Sequence, residues 1–487
     1  MKKSFFFLLC IALWINGSGE NNGAWDNLHQ AAQKHLVNLI NIDTAQPTPN
    51  ERAAARYIYK ELNKHHIDWD IFIPSKNHAN LVARIKGTNP SKKPLLLISH
   101  LDTVPAQEGW TVPPFKATLK DGRIYGLGAT DAKNYTATHL ALFTWLATQQ
   151  TRPQRDIIFL VTSGEENGSK TGLLWLLDTH WDKVNPGFAL SEGGGIIDAP
   201  PAPPLVFVEG ATKQYMDIKI TATGEGGHAS IPLQDNAVYG LSQALAKIAA
   251  YNPPAKLTPV AQNFFKAIMP LQTEDGKTTL EVLLSGEPEN QQNAAEIMAQ
   301  DAFLRTQLKD TVTPTELAAS KEANTTSKEA SALLNARLLP GTDPDEFFTQ
   351  LTQLFTQDEN ISLEIVERPQ TPPAPVMDGK DELFAAIRKT ANTLLPGAIT
   401  AVGMSPASGD SEFLRKSGII TYGLGPKMYP SETNSAHNTD EFIYEKDLFE
   451  QLDFLAGVVF NFAYEKDLLP LLAPPAPAKL QDDKANQ

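Results

Sequence analysis

Two polar side chains at the end of one apolar run raise the first chemical question. The stretch LLLISHLDTVPA, residues 95–106, carries an apolar run into His100 and Asp102 before Pro105 breaks it. Alternate residues of a strand share a face, so the two side chains point the same way. An imidazole that holds a metal through one ring nitrogen needs its other nitrogen held, commonly by a carboxylate. A core histidine beside a capping aspartate would use the same two residue types. Four more motifs bear on the choice. GLGATDAKNYTA places Asp131 after a glycine-punctuated turn and before a helix. TSGEENG places Glu165 and Glu166 side by side after the run DIIFLV. LSEGGG puts Glu192 ahead of three glycines, and NSAHNTDEF puts His437 in a polar loop.

Each motif also has a plain reading. An aspartate before a helix commonly caps it, and paired glutamates in a turn are often just solvated. Adjacent carboxylates repel, however, unless a cation or a proton neutralises one of them. Two histidines, an aspartate and three glutamates without a thiolate form a donor set suited to zinc, or to manganese or cobalt. A carboxylate such as Asp131 can bridge two ions, which two-metal hydrolases hold about 3.5–4 Å apart.

The elements around these residues alternate. Residues 27–42 have helical spacing, and 49–64 follow as a second helix with Asn50 placed to cap it. IDWDIFIP, NLVARIKG, LLLISH, DIIFLVTSG and GFALSE read as strands. TATHLALFTWLATQQ and TGLLWLLDTH read as helices. Buried apolar strands alternating with helices predict an α/β fold with a mostly parallel sheet and helices on both faces. The ends of such strands are where open sheets place their sites. After the proline-rich DAPPAPP the order becomes β-α-β-β-α-β: an inserted α+β, ferredoxin-like module, expanded over 254–310. The division is 1–19 leader, 20–209 first part of the catalytic domain, 210–369 inserted lid or dimerisation domain, 370–465 second part, and 466–487 a proline-rich polar tail.

Composition narrows the function classes. The chain has 487 residues, 42 basic against 56 acidic, for a net charge of −14. An acidic chain without a basic stripe repels phosphate backbones and anionic lipid, so nucleic acid is not expected as a partner. MKKSFFFLLCIALWINGSGE has two lysines, a short apolar run and small residues, the layout of a secretory leader. The one cysteine, Cys10, lies within it and is preceded by Leu9, which does not suit lipid attachment. The expectation is an exported protein, periplasmic or secreted. After leader removal it has no thiol chemistry and no membrane span.

HLDTVP, GLGATDAK, TSGEENG, SEGGG, GEGGHAS and AHNTDEF, in this order and spacing, resemble the co-catalytic di-zinc peptidase family. Its members include glutamate carboxypeptidase, aminoacylase-1, succinyl-diaminopimelate desuccinylase and yeast carboxypeptidase S. The likeness covers roughly residues 30–465, and LNARLLPG and the expanded insert bring it nearest the carboxypeptidase S and N-acyl amino acid hydrolase branch. The resemblance implies two Zn²⁺ ions, with Mn²⁺ or Co²⁺ as substitutes. His100, Asp131 and Glu192 would hold one; Asp131, Glu166 and His437 the other. Asp102 would orient His100, and Glu165 would act as general base. His228 would stabilise the oxyanion, coming from the other subunit in dimeric members. Arg337 would hold the substrate carboxylate, or be a plain strand arginine. SGDSEF (408–413) resembles a segment that helps hold that carboxylate. A cis Asp131–Ala132 bond is also implied.

Two departures touch the pocket: Asn134 and Tyr135 stand where many relatives have glycines, and Ser191 where many have an acid. Neither removes a ligand. His139 and His180 are read as structural or surface residues. The function expected is a metallo-carboxypeptidase or dipeptidase cleaving an amide beside a free carboxylate. The alternative is an N-acyl amino acid amidohydrolase on the same chemistry. A non-catalytic binding protein ranks lower, because every ligand position, Glu165 and His228 are filled. A homodimer through the lid is consistent with the insert.

Overall fold

The computed structural model describes residues 23, 25–198, 200–369, 372–429, 436–466 and 468. The leader read at 1–19 lies outside the described residues, as does the tail read at 466–487 apart from residues 466 and 468. The chain forms two compact units: Met1–Pro200 with Lys380–Ala398 and Leu424–Gln487, and Pro201–Gly379 with Ile399–Gly423.

In the first unit, β1 (Trp69–Phe72), β2 (Asn80–Ile85), β3 (Leu95–His100), β6 (Ile157–Thr162) and β7 (Phe188–Ser191) lie in the order β1-β2-β6-β3-β7. β3 runs parallel to both β6 and β7. β1 and β2 join antiparallel, so this end of the sheet is a hairpin rather than a crossover unit. Every residue of β3, β6 and β7 is buried, which is why their sequences are continuous apolar runs rather than alternating ones. The helix Lys133–Thr148 packs on β3, and the last helix, Glu445–Ala463, packs on that helix. A smaller sheet forms from β4 (Thr118–Lys120), β5 (Arg123–Tyr125) and β19 (Phe442–Tyr444). The pairing Phe442 with Tyr125 brings the His437 motif beside the Asp131 motif.

One cap expectation fails. Asn50 precedes the helix Glu51–Lys64 but makes no side-chain cap hydrogen bond. The Arg52 amide donates instead to the Asn77 carbonyl at 3.3 Å, so backbone from a neighbouring loop serves that donor.

The second unit holds an antiparallel sheet of β10 (Gln214–Thr223), β12 (Thr311–Ala318), β14 (Glu329–Leu338) and β15 (Ile361–Glu367), in the order β12-β14-β10-β15. β14 buries every second residue, and Ile218, Ile220, Leu334, Phe347 and Leu351 share one core with the helices Ala237–Ala250 and Pro344–Gln353. Residues 259–308 add the helices Pro259–Ile268, Glu274–Ser285, Pro288–Met298 and Ala302–Leu308. Among the strands that escaped the sequence reading are β9 (Leu205–Thr212) and its parallel neighbour β16 (Ile399–Ser405). β9 is buried throughout yet contains Glu209, whose carboxylate accepts from Ser411 Oγ at 2.6 Å and Arg415 Nη1 at 3.2 Å. That charge in mid-run masks the strand signal. No helix among the described residues is long and apolar enough to cross a membrane.

Candidate metal centre

Parallel neighbours bring the chemistry to one sheet edge. His100 is the last residue of β3, the Glu165–Glu166 turn follows β6, and Glu192 follows β7. Because the three strands are parallel and adjacent, their C-terminal ends coincide. Asp131 comes from the loop ahead of Lys133–Thr148. That helix is preceded by Ala132 with no side-chain cap bond, so Asp131 is not its cap. The Asp131–Ala132 peptide is cis.

The groups converge on Asp131. His100 Nε2 lies 3.0 Å from Asp131 Oδ1 and 3.1 Å from Glu192 Oε2. His437 Nε2 lies 3.1 Å from Asp131 Oδ2 and 3.3 Å from Glu166 Oε2. Two candidate metal-binding groups result: His100, Asp131 and Glu192, and Asp131, Glu166 and His437, with the ligand atoms of each within 4.8 Å of one another. Asp131 turns one carboxylate oxygen to each. The donor set fits divalent ions. Three carboxylates and two imidazoles gather here, and Glu166 Oε1 is buried with no hydrogen-bond partner among the described residues. A buried acceptor left open in this way is costly unless something fills it.

The electrostatics agree. Burial works against charge on His100, but Glu192, Asp102 and Asp131 outweigh it and raise its pKa well above the usual imidazole range. Hydrogen bonds donated to the Asp131 and Glu166 carboxylates push His437 up to about 10. Burial raises Glu166. The pocket draws positive charge, here onto its histidines.

Asp102 does more than face His100. His100 Nδ1–H donates to the Asp102 backbone carbonyl at 3.0 Å, while the nearer carboxylate oxygen is 3.5 Å away. The carboxylate accepts the amides of Glu165 and Glu166 at 3.0 and 3.1 Å. Glu165 Oε2 stands 4.0 Å from His100 Nε2 and belongs to neither metal group. His437 is exposed, but its carbonyl accepts from Gln107 Nε2 at 2.9 Å.

His228 and Arg337 belong to the second unit. His228, on a two-residue strand, is exposed; its Nδ1 accepts from Ser230 Oγ at 2.7 Å and its Nε2 is 3.1 Å from Asn324 Nδ2. Arg337 Nε donates to Asn335 Oδ1 at 2.9 Å and Nη1 to Ser408 Oγ at 3.2 Å, with the Tyr215 ring 4.7 Å away. Ser408 opens the SGDSEF segment, so these two sequence candidates meet within that unit.

The two departures prove to be buried. Asn134 Nδ2 donates to Gln451 Oε1 at 3.1 Å, and Tyr135 Oη accepts the Gly193 amide at 3.3 Å, one residue after Glu192. His139 is also buried, and burial lowers its pKa to about 3. His180 stacks on Phe72 with ring centroids 4.3 Å apart. Neither belongs to a metal group.

The sequence reading passed over a further buried carboxylate in the His437 loop. Glu441, 1% exposed, accepts the amides of Gly128, Thr130 and Asp131 and the Thr130 hydroxyl, at 2.7–3.2 Å. Burial raises it to about 7, against the pull of those donors. It sits in AHNTDEF, so its motif was seen and its role was not. Each buried N–H left open costs about 1–3 kcal/mol. Glu441→Leu is therefore expected to destabilise the protein by several kcal/mol, read as a lowered urea midpoint with unchanged slope; Glu441→Gln keeps acceptors and costs less.

Comparisons with known proteins converge. A sequence profile of Peptidase family M20/M25/M40 matches residues 96–461. A probable carboxypeptidase S-like 2 from Dictyostelium discoideum is 28% identical over 78% of this chain and 74% of its own length. The human N-fatty-acyl-amino acid synthase/hydrolase PM20D1 is 25% identical over 77% of this chain and 76% of its own. The crystal structure of an M20 family metallo-carboxypeptidase from Sulfolobus solfataricus superposes with a TM-score of 0.64 at 17% identity, covering 88% of this chain and 98% of that one. The fold, the two acidic–imidazole groups and the matched span make the chain a hydrolase of Peptidase family M20/M25/M40.

Proposed function

We propose that the protein is an exported di-zinc hydrolase that cleaves an amide beside a free carboxylate, as a carboxypeptidase or dipeptidase. The observation that carries the reading is the sharing of Asp131 between two three-residue groups, with Glu165 4.0 Å from His100 and in neither group. Two divalent ions held there would polarise the scissile carbonyl and acidify a water. Glu165 then takes the proton of the attacking water and passes it to the leaving amine. Asp102 holds both the His100 ring and the amides of Glu165 and Glu166, which keeps base and ligands in register. For His228 and Arg337 the assignment stays with their motifs: oxyanion donor and partner of the substrate carboxylate. Export rests on the leader in residues 1–19, and a lid-mediated homodimer on the inserted module.

The likeness to the fatty-acyl-amino acid hydrolase favours a second reading, an N-acyl amino acid amidohydrolase using the same centre. The deciding experiment compares kcat/KM of the zinc-loaded mature protein for an N-blocked dipeptide, the free dipeptide and a long-chain N-acyl amino acid. Preference for either peptide supports the peptidase; preference for the acyl substrate supports the amidohydrolase. Dialysis against a chelator is expected to abolish turnover, and Zn²⁺, Mn²⁺ or Co²⁺ to restore it. Full activity in metal-free protein would contradict both readings.

A further inference from the structure

The turn bearing Glu165 and Glu166 opens with four consecutive backbone N–H groups, and each ends on a side-chain oxygen. Ser163 N donates to Asn80 Oδ1 at 2.8 Å and Gly164 N to Glu51 Oε1 at 2.9 Å. Glu165 N and Glu166 N donate to the two oxygens of Asp102. Asn80, Glu51 and Asp102 are all 0% exposed. The acceptors are held in turn. Asn80 Nδ2 donates to the Thr171 carbonyl at 2.9 Å, Glu51 Oε2 is 2.8 Å from His78 Nδ1, and Gln46 Nε2 donates to Asp102 Oδ2 at 3.0 Å. Only Asp102 belongs to a chemical motif. Gln46, Glu51, His78 and Asn80 all precede residue 96, where the family match begins.

The geometry leaves the turn little freedom. Gly164 has φ +63°, and a Cβ there would meet Thr171 Oγ1 at 2.4 Å. A buried carboxylate is expensive unless both oxygens are served. Glu51 meets that condition with the Gly164 amide on one oxygen, between the Asn80 and Asp102 contacts, and His78 Nδ1 on the other. We propose that Glu51, reinforced by Asn80, is a positioning residue for the catalytic turn. It fixes the Gly164 amide and so sets the direction in which Glu165 and Glu166 leave β6. The inference deepens the proposed function and rests on it for the roles of those two glutamates. Glu51 touches neither substrate nor ion; it acts through the backbone.

The test compares wild type, Glu51→Ala and Glu51→Gln by calorimetric zinc titration and by kcat and KM on a substrate the wild type turns over. Gln keeps an acceptor for Gly164, and its amide N–H pairs with His78 Nδ1 once the imidazole takes the tautomer in which that nitrogen accepts. Loss of such outer partners lowers metal affinity or activity about 10–100-fold. Glu51→Ala is therefore expected to bind zinc that much more weakly at one site and to lose kcat with KM little changed, and Glu51→Gln to recover most of both. Unchanged zinc affinity in Glu51→Ala overturns the proposal, as does an equal loss in the Ala and Gln variants. The titration needs no turnover, so a wild type inactive on every substrate sinks the hydrolase reading and leaves this test intact. Should Glu51→Ala not fold, Asn80→Ala puts the same question at Ser163, with the same outcomes.

Discussion

Glu165→Gln is expected to keep both ions and lose turnover by about 10³-fold, within the range a positioned general base contributes. Glu165 belongs to neither metal group, so the substitution removes a proton acceptor without removing a ligand. Its amide, bound to Asp102 Oδ1, does not depend on the side chain, so the turn should hold its shape. KM should change little, because the proton transfer is made in the transition state rather than in the bound ground state. The measurement is kcat and KM together with metal content by elemental analysis. Equal loss of metal and activity would make Glu165 a ligand instead; unchanged kcat would remove it from the chemistry.

Asp131→Ala should be more damaging, because both groups lose a member at once. One carboxylate oxygen faces His100 and the other His437. The variant is expected to bind neither ion tightly and to show no measurable turnover. Glu192→Ala removes a ligand from the His100 group only, and should leave the Asp131, Glu166 and His437 group able to hold an ion. Metal content after dialysis separates the two outcomes. If both variants retain the same metal, Asp131 is not shared and the two-ion centre is wrong.

Much of the site could be read from the sequence because each piece ends a continuous apolar run. β3, β6 and β7 are buried along their whole length, and parallel pairing turns three distant motifs into one edge. What escaped lacks that signature. β9 hides because Glu209 interrupts its run, and the groups that make the charge tolerable, Ser411 and Arg415, are some two hundred residues away. Glu51 looks like an ordinary first-turn acid of an amphipathic helix; its partner, the Gly164 amide, has no sequence signal at all. Glu441 was within view, but acceptance of three backbone amides is a property of the folded loop. Asn50 failed as a cap for a similar reason, since a tertiary carbonyl served the donor instead. Side chains that act on distant backbone are the part a sequence conceals.

In the proposed centre Asp131 joins two metal sites. The most direct test is anomalous diffraction at the zinc edge from crystals of the zinc-loaded protein. Two peaks are expected about 3.5–4 Å apart, a spacing usual for two-metal hydrolases, one on each side of the Asp131 carboxylate. A single peak, or zinc bound away from His100 and His437, would contradict it.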